Sequence, residues 1–181
     1  MKIIPTNLPE VLLLAPQVFG DERGFFMETY NARTFAGHGL DMVFVQDNQS
    51  RSARGVLRGL HYQLQQTQGK LVRVGSGSAF DVAVDIRRSS PNFGKWTGHI
   101  LSAANKHMLW VPRGFAHGFL SMEDDTDLLY KCTDLYAPEH ERSIAWNDTD
   151  IGIEWPLGDI IPALSGRDAK GAALSAAEVF A

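Results

Sequence analysis

The sequence predicts an all-β protein, a jelly roll or related double-sheet barrel with a few short helices, built as one domain over residues 1–181. Three observations carry that prediction. Residues Phe80–Arg87 alternate cleanly between apolar and polar. Short strand-like runs recur at near-regular spacing with turn-forming residues between them. No helix of the length needed to cross between parallel strands separates them, and no glycine-rich nucleotide-binding loop is present.

The elements follow in order. Residues 1–18 hold short apolar runs that read as N-terminal strands, with Val11–Leu14 broken by Pro16, a poor secretory signal. A brief helix is expected from Asn31, a good N-cap, to Gly37 or Gly39. Strands are expected over Lys70–Val74, Phe80–Arg87, His99–Ser102, His107–Val111, His117–Met122 and Asp127–Thr133. The intervening Gly75-Ser-Gly77, Ser89-Ser-Pro91-Asn92, Ala103-Ala-Asn105, Pro112-Arg-Gly114 and Glu123-Asp-Asp125 are turn material. In Phe80–Arg87, Phe80, Val82, Val84 and Ile86 share one face, and Asp81, Ala83, Asp85 and Arg87 the other. That pattern fits a ligand-lined interior for Asp81 and Asp85, and fits a solvated outer face equally well. A second helix is expected in the Ala-rich tail after Ser175.

Composition bounds the function. Apolar residues make up 44% of the chain and charged residues 21%, as in ordinary globular proteins. The net charge of -4 argues against general nucleic-acid binding, while leaving room for a small anionic ligand held by a few arginines. No apolar run reaches the length of a membrane span. A single cysteine, Cys132, excludes an intrachain disulfide and fits a reducing compartment, so a cytoplasmic location is expected.

The run most suggestive of chemistry is Gly55-Val-Leu-Arg58-Gly-Leu-His61-Tyr62-Gln63, followed by Lys70. A histidine titrates near neutral pH. An arginine can grip a phosphate with two hydrogen bonds, and a lysine can stabilise a developing oxyanion. Proton abstraction from a phosphorylated carbonyl substrate needs these parts; a strand with a few charged residues on its wet face is the competing reading. Tyr130 carries a phenol with an ordinary pKa of about 10, so it holds a proton that it can donate. A base at His61 and an acid at Tyr130 on opposite sides of one carbon would suit inversion there. Taken alone, Tyr130 reads better as an ordinary strand aromatic.

Pro112-Arg-Gly114-Phe-Ala-His117 looks like part of the second motif of the cupins, a jelly-roll superfamily. His61 is followed by Tyr62 and Gln63, so the His-x-His pair of metal-binding cupins is missing, and Gln63, Gln65, Gln66 and Gln68 stand where a Glu ligand would be. No metal or other cofactor is expected, since a metal site needs three or four good ligands. Alone, His117 reads as a hydrogen-bonded core histidine.

Several colinear segments resemble one family. They are Phe19-Gly-Asp-Glu-Arg23-Gly-Phe-Phe-Met-Glu28-Thr-Tyr, Phe44-Val-Gln46-Asp47-Asn48-Gln-Ser, the Gly55–Gln63 run, Lys70-Leu-Val-Arg73-Val, Phe80-Asp81-Val-Ala-Val-Asp85-Ile-Arg, Val111-Pro-Arg-Gly-Phe-Ala-His117-Gly-Phe, Tyr130-Lys and Glu141-Arg142-Ser-Ile. The chain resembles the dTDP-4-dehydrorhamnose 3,5-epimerases from about Phe19 to Trp155, with an echo at Leu164-Ser-Gly-Arg167-Asp168. The resemblance implies a cupin-like jelly-roll homodimer without metal, in a family whose first strands often cross into the partner subunit. It implies a substrate, dTDP-4-dehydro-6-deoxy-D-glucose, and a product, dTDP-4-dehydro-L-rhamnose. It assigns His61 as general base, Lys70 to the O4 oxyanion, Tyr130 as acid, and Asp168 as the partner that orients His61 and favours its protonated form. It places Arg23, Arg58 and Arg167 near the diphosphate, Tyr136 on the thymine, and Glu28, Gln46, Asp47, Asn48, His117 and Glu141 against the substrate. Arg167 stands where the family often has lysine. Rival readings are a relative inverting only C3 or only C5, a ketoisomerase of the same fold, and a silent sugar-nucleotide binding module.

Overall fold

The computed structural model describes residues 1–181 and is almost entirely antiparallel β. Its strands are β1 (Lys2–Pro5), β2 (Leu12–Ala15), β3 (Val18–Asp21), β4 (Gly24–Met27), β5 (Gln46–Ser52), β6 (Leu57–Gln63), β7 (Lys70–Ser76), β8 (Ser78–Asp85), β9 (Trp96–Ser102), β10 (Met108–Val111), β11 (Phe115–Ser121), β12 (Thr126–Cys132) and β13 (Glu141–Ser143). A six-stranded sheet runs β1-β2-β10-β7-β12-β5 and a five-stranded sheet runs β13-β6-β11-β8-β9, with β3 and β4 a separate hairpin. Two facing antiparallel sheets enclosing one core are the jelly roll that the strand spacing predicts.

Three apolar layers hold the sheets. Between them, Val72, Val74, Leu109 and Leu128 of the larger sheet meet Ala79, Ala83, Leu101, Phe115 and Phe119 of the smaller. The outer face of the smaller sheet is covered by the C-terminal segment: Leu60, Tyr62, Val82, Val84 and Ile86 pack on Ile144, Ile151, Leu174 and Ala177. The outer face of the larger sheet is covered by α1 (Ala32–Ala36) and the loop after it, where Phe35 and Leu40 join Leu14, Leu71, Met108 and Trp110. The Asn31 side chain accepts from the Arg33 and Thr34 backbone N–H groups, which makes it the N-cap that the sequence suggests.

The second covering layer corrects two expectations. Strand β8 is buried on both faces, so Asp81 and Asp85 neither line a ligand pocket nor face solvent; both are fully buried. Asp85 is held by Arg87 and by the Ser90 hydroxyl at 2.6 Å, and Asp81 lies 3.0 Å from the His117 ring through both oxygens. Buried carboxylates need such partners. The tail after Ser175 is not a helix. It makes one 3-10 turn, Leu174–Ala176, and then runs extended, with Phe180 bridging to the end of β8 through Arg88 N (2.9 Å) and Ile86 O (3.2 Å). Six residues are too few to nucleate a helix, so alanine propensity yields to burial and to open backbone partners. No helix is long and apolar enough to cross a membrane.

Candidate active site

A cavity of about 330 Å³ opens between the two sheets. His61 and Arg58 of β6 and Glu141 of β13 come from the smaller sheet. Gln46 and Asn48 of β5, Lys70 of β7 and Tyr130 of β12 come from the larger. Tyr136 and Arg167 close its rim. A larger open groove of about 950 Å³ runs along β9, lined by Lys95, Trp96, Asp150 and Glu154, and His61, Asp168, Lys70 and Tyr130 lie outside it.

Arg58 and His61 are three residues apart, which in a regular strand puts them on opposite faces. A bulge brings them together: His117 stands opposite His61 and Phe119 opposite Arg58, so β6 spends one more residue than β11 over that step. Gly59, at φ +133°, is the pivot, and a Cβ there would sit 2.5 Å from the Gly118 Cα. Only glycine suits that backbone and that approach. Gly59→Ala is therefore expected to lower stability by about 3 kcal/mol or to prevent folding, read by denaturant unfolding; an unchanged midpoint would show that the bulge tolerates a side chain.

His61 Nε2 lies 2.7 Å from Asp168 Oδ1, a close polar contact. Asp168 arrives from a 3-10 turn, Asp168–Lys170, and is itself tied by the Ser165 hydroxyl (2.5 Å) and the Gly59 N–H (3.1 Å). Burial alone would raise the Asp168 pKa; those two donors and the His61 ring together hold it below the usual carboxylate range. For His61 burial wins. The Asp168 charge favours the protonated ring, as expected, but desolvation, helped by Lys70 and Arg167, keeps the pKa below the ordinary histidine value. The resting ring is thus a neutral base.

Lys70 is pushed below the ordinary lysine value by burial, against the opposing pull of Cys132, Glu141 and Asp81. Its Nζ lies 6.0 Å from the Tyr130 ring centroid. Burial also raises the Tyr130 phenol, with Cys132 adding to the effect, so it keeps its proton. The site sets His61 on one sheet against Lys70 and Tyr130, which stand on adjacent strands of the other.

At the rim, Glu141 accepts from the Tyr136 hydroxyl at 2.7 Å and from both arms of Arg167. Gln46 accepts from the Tyr136 backbone N–H at 2.8 Å and donates to Asn48 at 3.0 Å. The Arg58 guanidinium reaches the Ser52 hydroxyl at 3.3 Å and stays exposed at the cavity wall.

Four of the expected binding residues stand elsewhere. Asp47 alternates to the outer face of β5 and pairs with Lys131 at 2.7 Å. His117 is buried on Asp81, beside His61 in the ladder but not on the cavity wall. Arg23 sits on the exposed β3–β4 hairpin, paired with Asp21, and Glu28 follows that hairpin and accepts from Asn31 at 2.9 Å. Three cavity residues, Tyr62, Gln63 and Gln68, were missing from the expected set, and the two glutamines hold a loop at the rim. Gln63 donates to the Gln66 and Leu135 carbonyls (2.7 and 3.1 Å) and accepts from the Ala137 N–H (3.0 Å); Gln68 donates to the Asp134 carbonyl (3.0 Å). They pin the loop that presents Tyr136. Their partners in that loop lie some 70 residues away in sequence, and no local pattern signals them. No three His, Cys, Asp or Glu side chains gather as a metal site would require.

The model for the family described as dTDP-4-dehydrorhamnose 3,5-epimerase matches residues 5–176. The chain is 56% identical to the dTDP-4-dehydrorhamnose 3,5-epimerase of Pseudomonas aeruginosa, over 99% of each chain. Its structure is similar to that of a Legionella pneumophila dTDP-6-deoxy-D-glucose-3,5-epimerase in complex with dTDP-4-keto-L-rhamnose, with a TM-score of 0.95, 52% identity, and coverage of 98% and 94% of the two chains. A 3'-monoepimerase from Streptomyces bikiniensis in complex with dTDP-quinovose is more distant, at a TM-score of 0.89 and 35% identity over 94% of this chain and 87% of that one. Matched along nearly its whole length in sequence and in fold, the chain belongs to the dTDP-4-dehydrorhamnose 3,5-epimerase family.

Proposed function

We propose that the protein epimerises dTDP-4-dehydro-6-deoxy-D-glucose at C3 and C5 to dTDP-4-dehydro-L-rhamnose. One observation carries the mechanism: His61 and Tyr130 stand on opposite sheets of one cavity, with Lys70 on the strand beside that of Tyr130. The C4 ketone acidifies the hydrogens on both neighbouring carbons. Neutral His61 takes the proton, the C–H electron pair becomes the enolate double bond, and the carbonyl pair moves onto O4. The Lys70 ammonium meets the charge on O4 in a desolvated site, where such contacts are strongest. Tyr130 returns a proton from the far wall, and the carbon inverts. Exposed Arg58 and the rim Arg167 suit the diphosphate, and half-exposed Tyr136 offers a face for the base.

The homodimer and the cytoplasmic location belong to the same reading. The hairpin β3–β4 leaves Phe19, Phe25 and Phe26 at 56%, 58% and 70% exposure, more apolar surface than a lone hairpin normally shows. Docked on a second copy it would be buried, and Arg23 and Glu28 would reach a site other than their own. Buried, unpaired Cys132 suits a reducing compartment.

Incubation with the substrate, reduction of the product and analysis of the sugar test the reading: an L-rhamno sugar supports it, and recovered D-gluco sugar overturns it. Tyr130→Phe is expected to keep exchanging substrate hydrogen with solvent while inversion at one or both centres falls about 100-fold. An unchanged product would take Tyr130 out of the acid role.

A further inference from the structure

Tyr136, Glu141, Arg167 and Asp168 form one chain of contacts from the rim of the cavity to the base. Glu141 Oε2 accepts from the Tyr136 hydroxyl at 2.7 Å, and Oε1 from Arg167 Nη2 at 2.9 Å, with Nη1 on Oε2 as well. Arg167 is followed directly by Asp168, whose carboxylate meets His61 at 2.7 Å. The two anchor points are neighbours: β13 pairs with β6 so that Glu141 stands opposite Gln63 and Ser143 opposite His61. The turn carrying Arg167 and Asp168 therefore grips two adjacent strands, one through each residue. An exposed ion pair contributes little, but here the Glu141 side chain is only 11% exposed and the grip is two-pronged.

We propose that Glu141 is a positioning residue for the general base: through Arg167 it seats Asp168 against His61, and through Tyr136 it ties that seat to the nucleotide end of the cavity. The catalytic consequence rests on the epimerase reading; the seating of Asp168 does not. Nucleotide docking at Tyr136 and Arg167 then acts on the same turn that orients the base, so that binding energy distant from the reacting carbons is used at them.

The groups facing His61 are Asp168 and Arg167 from the turn, Glu141 from β13, Lys70 from β7, His117 from β11 and Tyr130 from β12. This set allows a test by sign. If Glu141 and Arg167 acted on His61 only as charges, Glu141→Gln would lower its pKa and Arg167→Met would raise it. If they seat Asp168, both variants release that carboxylate and both lower it.

The experiment is nitrogen-detected NMR titration of the His61 ring in the full-length protein, the wild type beside each variant, with kcat and KM measured alongside and thermal melting to check folding. The expected result is a His61 titration moved to lower pH by about one unit in both variants. With it kcat falls about 10–100-fold, as for a misplaced catalytic group. The double variant is no worse than the poorer single one, because the two residues act as a unit. Arg167→Lys, keeping the charge with a simpler contact, recovers part of kcat. A rise in Arg167→Met, or a raised KM with kcat and the His61 titration unchanged, overturns the proposal. The titration needs no substrate, so inactivity of the wild type would strike the epimerase reading alone.

Discussion

His61→Ala is expected to lower kcat by about 10³–10⁴-fold while dTDP affinity changes little, as shown by turnover beside calorimetric titration with dTDP. The magnitude is that of a lost general base. No other group on the cavity wall is free to replace it: the Glu141 carboxylate is held by the Tyr136 hydroxyl and both arms of Arg167. Lys70 must carry its proton to serve O4, and the Tyr130 phenol, raised by burial, does not ionise near neutral pH. Asp168 touches His61 from a turn outside the wall and is itself engaged by Ser165 and Gly59. Of the groups proposed to hold the nucleotide, Arg167 and Tyr136 lie on other elements, and Arg58, three residues before His61 on β6, keeps its own side chain at the cavity wall. Equal loss of turnover and binding would make His61 a binding or structural residue.

The second large effect is expected at Lys70. Lys70→Met keeps the length and apolar stem but deletes the charge, and kcat is expected to fall about 10²–10³-fold. The pH profile separates this role from simple packing. Activity needs His61 neutral and Lys70 charged. Burial holds both pKa values below their ordinary positions, so both limbs of the kcat/KM profile move to lower pH than free histidine and lysine would give. Rising pH discharges Lys70 early and closes the alkaline limb; falling pH protonates His61 late and extends the acid limb. Lys70→Met should move the acid limb to higher pH, because the charge that helps hold the His61 pKa down is gone, and should remove the Lys70 alkaline limb, leaving only the later one of the Tyr130 phenol. Wild-type rates in Lys70→Met, or an alkaline limb that stays at its wild-type pH there, would contradict the assignment.

The fold was legible where one face is apolar. Strands β7 to β12 announce themselves by alternation and by the turns between them, and α1 by the Asn31 cap. Strand β5 was not legible: Gln46–Ser52 contains no apolar residue, because its inner face lines the cavity and its outer face carries Asp47 and Arg51. The tail misled because alanine favours helix in isolation, whereas here it serves as cover for β8. In the site, His61, Lys70 and Tyr130 line one cavity from three strands, and Asp168 meets His61 from a turn outside it. Alternation predicts that Asp47 and Asn48 face opposite ways, and the resemblance alone had placed them together. The bulge at Gly59 could not be read from Arg58-Gly-Leu-His61, since it depends on the strand alongside. The balance at His61, where burial outweighs Asp168, depends on how deeply the fold encloses the ring.

The central claim is proton transfer at both carbons beside the ketone, and proton NMR in deuterated water tests it most directly. Wild-type protein is mixed with dTDP-4-dehydro-6-deoxy-D-glucose, with a reductase present to trap the product. Deuterium at both C3 and C5 of an L-rhamno product is the predicted result; a product without solvent deuterium at either carbon, or exchange and inversion at one carbon alone, would contradict it.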